Sequence, residues 1–271
     1  MIKLTKKIML SEMTWPEVEQ ALKETDMVLL PVGAFEEHGH HLPIDNDTFV
    51  AHEIAKRAAR EVERDVGVVV APPIPFGESE GAMEFPGTIS LCNENLVNLY
   101  KDVCKCLIHH GFRKIVFVNG HGGNPPAISI AINEVASETG AFLACVNYWE
   151  TSSDVIMRIK ETELTPFHAC ELETSISLAV GQRVDMEKAK ADTPPIDPAL
   201  SNYILPTPLK PKVGISVTLP TVRPPHSGTM GDPTKATKDK GEKLVDDTVR
   251  KIADFLRSIR NLSVQIKKVG R

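Results

Sequence analysis

Residues 36–47 read Glu-Glu-His-Gly-His-His-Leu-Pro-Ile-Asp-Asn-Asp, which places four carboxylates and three imidazoles in twelve positions. They follow the apolar run Val28-Leu29-Leu30-Pro31-Val32-Gly33. Hard carboxylate and borderline imidazole donors at this density suit a metal ion, and open α/β sheets build such sites where their strands end. A solvated loop has no physical reason to collect three of the nine histidines. Glu36 and His38 lie two residues apart, so on an extended strand end their side chains point to one side and can converge. Asp47 follows the bend Leu42-Pro43-Ile44 and precedes a predicted helix, from which a short carboxylate can turn back. His121 follows another apolar run, and Gly122 and Gly123 behind it let the backbone approach a ligand closely.

Taken singly, each residue has a plainer reading. Asp47 and Asn124 suit helix caps, His121 a turn, and Glu36 a solvated carboxylate. Jointly those readings need four coincidences at strand ends, so a metal site is the expectation. A mixed Asp/Glu/His set without thiolate suits zinc, manganese or iron(II). A third stretch, residues 168–175, reads His-Ala-Cys-Glu-Leu-Glu-Thr-Ser and leads into an apolar helix. A carboxylate at such a helix start is costly unless something compensates its charge, and for Glu173 a metal ion is the natural partner. On one helix, Glu173 would lie about 140° around from His168, so the two would line a cavity from different depths. Glu171 reads as surface, and Cys170 as a packed side chain rather than a nucleophile.

Several elements must position these residues. The pattern predicts strands over 26–33, 66–71, 114–118 and 141–146, and helices over 47–63, 93–110, 125–139 and 234–259. Asn93 is a plausible start and Gly111 a plausible stop, and Pro125 suits a first helical turn, where a missing N–H does no harm. Alternation of this kind predicts an α/β protein with a mostly parallel sheet and helices on both faces. Residues 185–233 differ: they are rich in proline, with little helical periodicity, and read as a lid, an oligomer arm or short irregular strands. With no internal repeat, one domain over residues 1–271 is the simplest account.

Bulk properties narrow the function. The chain has 271 residues, is 25% charged and carries a formal net charge of -5, which disfavours nucleic acid as the main partner. No apolar run is long enough to span a membrane and no signal-peptide apolar region follows Met1, so a cytoplasmic protein is expected. Five cysteines without paired spacing argue against a zinc ribbon or disulfide framework, and Cys104 and Cys106 read as small buried hydrophobes.

The ordered motifs resemble the creatininase family of metal-dependent amidohydrolases. The family's Glu-x-His-Gly-x-His-Leu-Pro and following aspartate stand as Glu36, His38, Gly39, His41, Leu42, Pro43 and Asp47. Phe85-Pro86-Gly87-Thr88, Asn119-Gly120-His121-Gly122-Gly123-Asn124 and residues 168–175 match further family motifs. The resemblance implies a three-layer α/β/α sandwich and two divalent ions, zinc first, with manganese or iron(II) as alternatives. Asp47 would bridge them, with Glu36 and His121 on one ion and His38 on the other. Gly123 stands where the family's namesake enzyme has a metal-binding glutamate, so Glu173 is the expected substitute ligand and catalytic neighbour. His168 would donate a proton to the leaving nitrogen. His41, Gly122, Gly123 and Trp149 would contact substrate. The implied reaction is hydrolysis of an amide-type C–N bond in a small cyclic amide or formamide by a homo-oligomer, hexamers being frequent in the family. Ring opening at a carbon–carbon bond of a cyclic polyol ketone, peptide-terminal cleavage, or metal-containing binding without turnover are the alternatives.

Overall fold

In the computed structural model, the structure describes residues 7–162, 168–192 and 227–267. Four strands form one parallel sheet in the order β2-β1-β3-β4: β1 (Met27–Val32), β2 (Val69–Val70), β3 (Lys114–Asn119) and β4 (Phe142–Asn147). Parallel neighbours need long crossovers, and helices supply them: α2 (Asn46–Glu61), α3 (Asn93–His110) and α4 (Pro125–Thr139). Before β1 comes α1 (Trp15–Leu22); after β4 come α5 (Tyr148–Thr151), α6 (Ser153–Ile159), α7 (Glu171–Val180) and α8 (Lys238–Ile259).

Alternation along the strands creates two cores. Met27 and Leu29 face one side, where Ile54 and Ala58 of α2, Ile176 of α7 and Ile252 of α8 cover them. Val28, Leu30 and Val32 face the other side, under Leu96 and Tyr100 of α3 and Ile128 and Val135 of α4. All six residues of β1 are buried, as expected when both faces of a parallel sheet are covered. The result is the expected three-layer α/β/α arrangement.

Differences from the sequence expectation have local causes. The second strand is two residues long rather than six: before it, Val66 N–H turns back to the Val62 carbonyl and the Gly67 carbonyl accepts from Thr25 Oγ1, and after it Pro72 and Pro73 supply no N–H donors to the ladder. Pairing resumes where Ile74 N–H donates to the Pro31 carbonyl at 3.0 Å. The last helix starts at Lys238, not residue 234. Asp232 caps a short 3₁₀ turn over Pro233–Lys235, and Thr237 then caps α8 by accepting from Lys240 N–H. Asn93 is the first residue of α3, with Cys92 at the cap position, and Gly111 ends the helix at φ 124°. Cys106 is exposed, unlike buried Cys104, because it lies two residues further round the helix.

The proline-rich stretch falls mostly outside the described residues, so the lid and arm readings of 193–226 do too. Its flanks meet: Asp192 and Gly231 exchange backbone hydrogen bonds of 3.0 and 2.8 Å. No helix among the described residues is long and apolar enough to cross a membrane.

Candidate metal centre

Three segments close on one point at the carboxyl edge of the sheet. Glu36 and His38 come from the chain leaving β1, His121 from the chain leaving β3, and Asp47 from the first turn of α2. Gly120 permits the approach of α2, since a Cβ there would collide with the Asp47 carbonyl. Glu173, in the first turn of α7, completes the set.

Three groups of three have their ligand atoms within 4.8 Å of one another: Glu36, His38 and His168; Glu36, Asp47 and His121; and His38, Asp47 and Glu173. The last two share Asp47. Asp47 divides its oxygens between them: Oδ1 lies 2.9 Å from His38 Nε2 and Oδ2 2.8 Å from His121 Nδ1. Glu36 Oε1 lies 3.3 Å from the same His121 nitrogen.

Each imidazole spends its other nitrogen on a backbone carbonyl, which fixes the tautomer. His121 Nε2–H donates to the Glu78 carbonyl at 2.6 Å, and His38 Nδ1–H to the Glu36 carbonyl at 3.2 Å. The lone pairs of neutral His38 and His121 therefore face carboxylate oxygens, acceptor against acceptor. Such a contact needs positive charge between the two groups, either a bound cation or protons on the rings. His38 Nε2 and Glu173 Oε2 are buried without hydrogen-bond partners among the described residues, which fits the same conclusion. These nitrogen and oxygen donors suit a divalent cation.

The electrostatics record the same need. Burial alone would push the Asp47 carboxyl up, but the His38 and His121 rings outweigh it and hold the group well below the usual carboxylate range. Burial disfavours a charged His38 ring, yet Asp47 raises its pKa to about 10. His121 is likewise raised well above its ordinary value, with Glu36 and Asp47 overcoming burial. Burial raises Glu173, and the nearby His38 and His168 only partly offset that. Without metal, the pocket holds its negative charge with protons on its histidines.

The remaining expected residues are spread around this centre. His168 precedes α7, so the helical angle to Glu173 does not apply; its Nδ1 lies 3.5 Å from Glu36 Oε1, and its ring centroid is 4.5 Å from that of His38. His41 is buried against α7, with Nε2 2.8 Å from Thr174 Oγ1. Gly123 has no room for a side chain: an added Cβ would strike the Glu78 carbonyl and lie 2.6 Å from His121 Nε2, whereas nothing crowds Gly122. Trp149 packs on the α2–α8 core, edge-on to Tyr148. Tyr148 is buried, and its hydroxyl is raised by burial and by the Glu173 and Asp47 charges. Asn124 fills the cap position of α4 without capping; its Nδ2–H donates to the Gly33 carbonyl at 3.0 Å and ties β1 to the His121 loop.

Glu171 is not surface. It is buried, pairs with Lys240 Nζ at 2.6 Å and accepts from the N–H groups of Glu161 and Thr162. With the Thr162 hydroxyl, which donates at 2.9 Å, four donors compensate the buried charge. Sequence reading also missed Glu37 and the Glu78 carbonyl, the first because strand alternation points it away from Glu36 and His38. A backbone carbonyl leaves no sequence signal.

The family profile described as creatinine amidohydrolase matches residues 11–256. The creatinine amidohydrolase of Pseudomonas putida is 29% identical over 272 residues, covering 94% of this chain and 98% of that protein. The mycofactocin precursor peptide peptidase of Mycolicibacterium smegmatis is 31% identical over 235 residues, covering 85% and 84%. A solved structure described as "Creatininase Mn" superposes with a TM-score of 0.78 at 28% identity, over 94% of this chain and all of that one.

Proposed function

The chain belongs to the creatininase family and is a metal-dependent hydrolase of carbon–nitrogen bonds, and we propose that it opens a small cyclic amide or cleaves a formamide over two divalent ions. The observation that carries this reading is Asp47, which turns one carboxylate oxygen to each of two three-residue groups. Glu36 and His121 would hold one ion, His38 and Glu173 the other. Zinc is the first candidate, with manganese or iron(II) as alternatives. Bound there, the ions supply a water acidified toward neutrality and a Lewis acid for the carbonyl oxygen.

The chain's own residues supply the rest. His168, beside Glu36 and His38, hands a proton to the leaving nitrogen. The uncrowded Gly122 leaves backbone open to a substrate, while Gly123 is held tight against Glu78. His41, buried on Thr174, is assigned to the surrounding wall, and Trp149, packed on the core beside Tyr148, to substrate contact on family resemblance. Homo-oligomeric assembly and a cytoplasmic location are proposed on family resemblance and on the absence of a membrane-spanning helix among the described residues.

The test is chelation followed by reloading with zinc, manganese or iron(II), with creatinine, related lactams and formylamino-pyrimidines assayed at each stage. Turnover should vanish with the metal and return with it, releasing an amine or formate. Full activity in the metal-free protein removes the proposal, and a product with only a broken carbon–carbon bond redirects it.

A further inference from the structure

Glu37 stands between two expected ligands and belongs to none of the three groups. The residue is only 5% exposed, and each carboxylate oxygen has a partner. Oε1 lies 2.9 Å from His168 Nε2, and Oε2 accepts from Gly39 N–H at 2.9 Å. The Glu37 carbonyl also lies 2.8 Å from His168 Nε2. Gly228 walls in the carboxylate at φ 69°, and a Cβ there would collide with Oε2. On the other side of His168, Met230 N–H donates to its carbonyl at 2.8 Å, and buried Ala169 takes a φ of 49°, a costly conformation for a residue with a side chain. Backbone strain and a glycine are thus both committed to one ring orientation.

Carbonyl and carboxylate oxygens only accept, so His168 Nε2 must carry the hydrogen. The nitrogen left facing Glu36 and His38 is Nδ1. We propose that Glu37 is a positioning residue that locks His168 as its Nε2–H form, so that Nδ1 alone exchanges protons with the reacting atoms. This rests on the proton-transfer role of His168 given above. In that role Nδ1 takes a proton from the attacking water and passes it to the leaving nitrogen, while the Nε2 proton stays in its bond to Glu37 throughout. The arrangement matches that of a ligating histidine held by an outer carboxylate, turned here on a proton carrier.

The test compares full-length, zinc-loaded wild type with Glu37→Ala and Glu37→Gln, reading bound zinc, kcat and KM on whichever lactam or formamide the wild type hydrolyses, and the nitrogen-15 NMR signature of the His168 Nε2–H. Alanine should lower kcat about 10- to 100-fold with KM and zinc content unchanged, and should erase the Nε2–H signal. Glutamine, whose amide oxygen still accepts, should restore the signal and most of the rate. Retention of either the signal or the rate in the alanine variant overturns the proposal, since the backbone carbonyl then suffices. Zinc loss in that variant, or failure of glutamine to rescue, overturns it as well. A wild type that hydrolyses no such substrate sinks the proposed function instead, and the NMR and zinc comparison still decides the role of Glu37.

Discussion

Asp47 is the residue on which the centre turns, because it joins the Glu36–His121 pair to the His38–Glu173 pair. Metal content per chain should follow that topology. His121→Ala should lose one ion, Glu173→Gln should weaken the other, and Asp47→Ala should lose both, with kcat/KM down about 100-fold or more. Elemental analysis of the loaded variants checks the pattern; an Asp47 variant that keeps both ions refutes the sharing. The protons on the histidines give a second readout. His38, raised to about 10 from an ordinary 6.5, is protonated at neutral pH in the metal-free protein, so an ion must displace that proton. Metal affinity should therefore rise about tenfold per pH unit for each proton displaced, up to the region of pH 10. In the metal-free fold the His38 proton contributes stability fully below pH 6.5, and that contribution is lost as pH rises through about 10. Calorimetric titration in buffers of different ionisation enthalpy measures the proton release directly. Among the candidate residues, Glu36, His38, Asp47, His121 and Glu173 were legible because chemically unusual side chains stood at strand ends and a helix start. Glu37 was not, since alternation sends it elsewhere and only the return of the chain at Gly228 and His168 gives it a partner.

Elements were legible where composition acted locally and blurred where tertiary contacts decided. The helix over 125–139 was readable at its start from Pro125, and in the structure Gly140, at φ 77°, follows its last residue. The second strand was over-read because β-branched composition does not reveal that Val66 N–H turns back to Val62 and that the Gly67 carbonyl is taken by Thr25. Glu171 was misread because its main partner, Lys240, lies 69 positions away on α8. The α7–α8 crossing sets a sharper test. Gly241 of α8 sits against the Ser175 carbonyl of α7, and an added Cβ would collide there and lie 2.8 Å from the Ala179 Cβ. Gly241→Ala gains about 1 kcal/mol in helix propensity but overpacks the crossing at about 3 kcal/mol. A net loss of about 2 kcal/mol is expected, read as a lower urea midpoint. An unchanged midpoint would mean the two helices part without cost.

For the molecule as a whole, one sheet direction sorts the chain into two ends with different duties. Every strand in the sheet runs the same way, so the metal-facing segments all emerge at one rim. The opposite rim carries Lys114, 3% exposed, whose Nζ donates to Asp26 Oδ1 at 3.1 Å and to the Arg260 carbonyl at 3.0 Å, fastening the end of α8 under the strands. Lys114→Met should cost about 1–3 kcal/mol of stability yet leave kcat and bound metal unaltered; thermal melting and steady-state rates together check it. A drop in kcat without a drop in stability would contradict the division. The protein is in this sense polar like a tool with a grip and a blade. Fluorophores, affinity handles or surface tethers attached beside Asp26 and Arg260 should leave the chemistry undisturbed, and an immobilised catalyst made that way would present its working face outward.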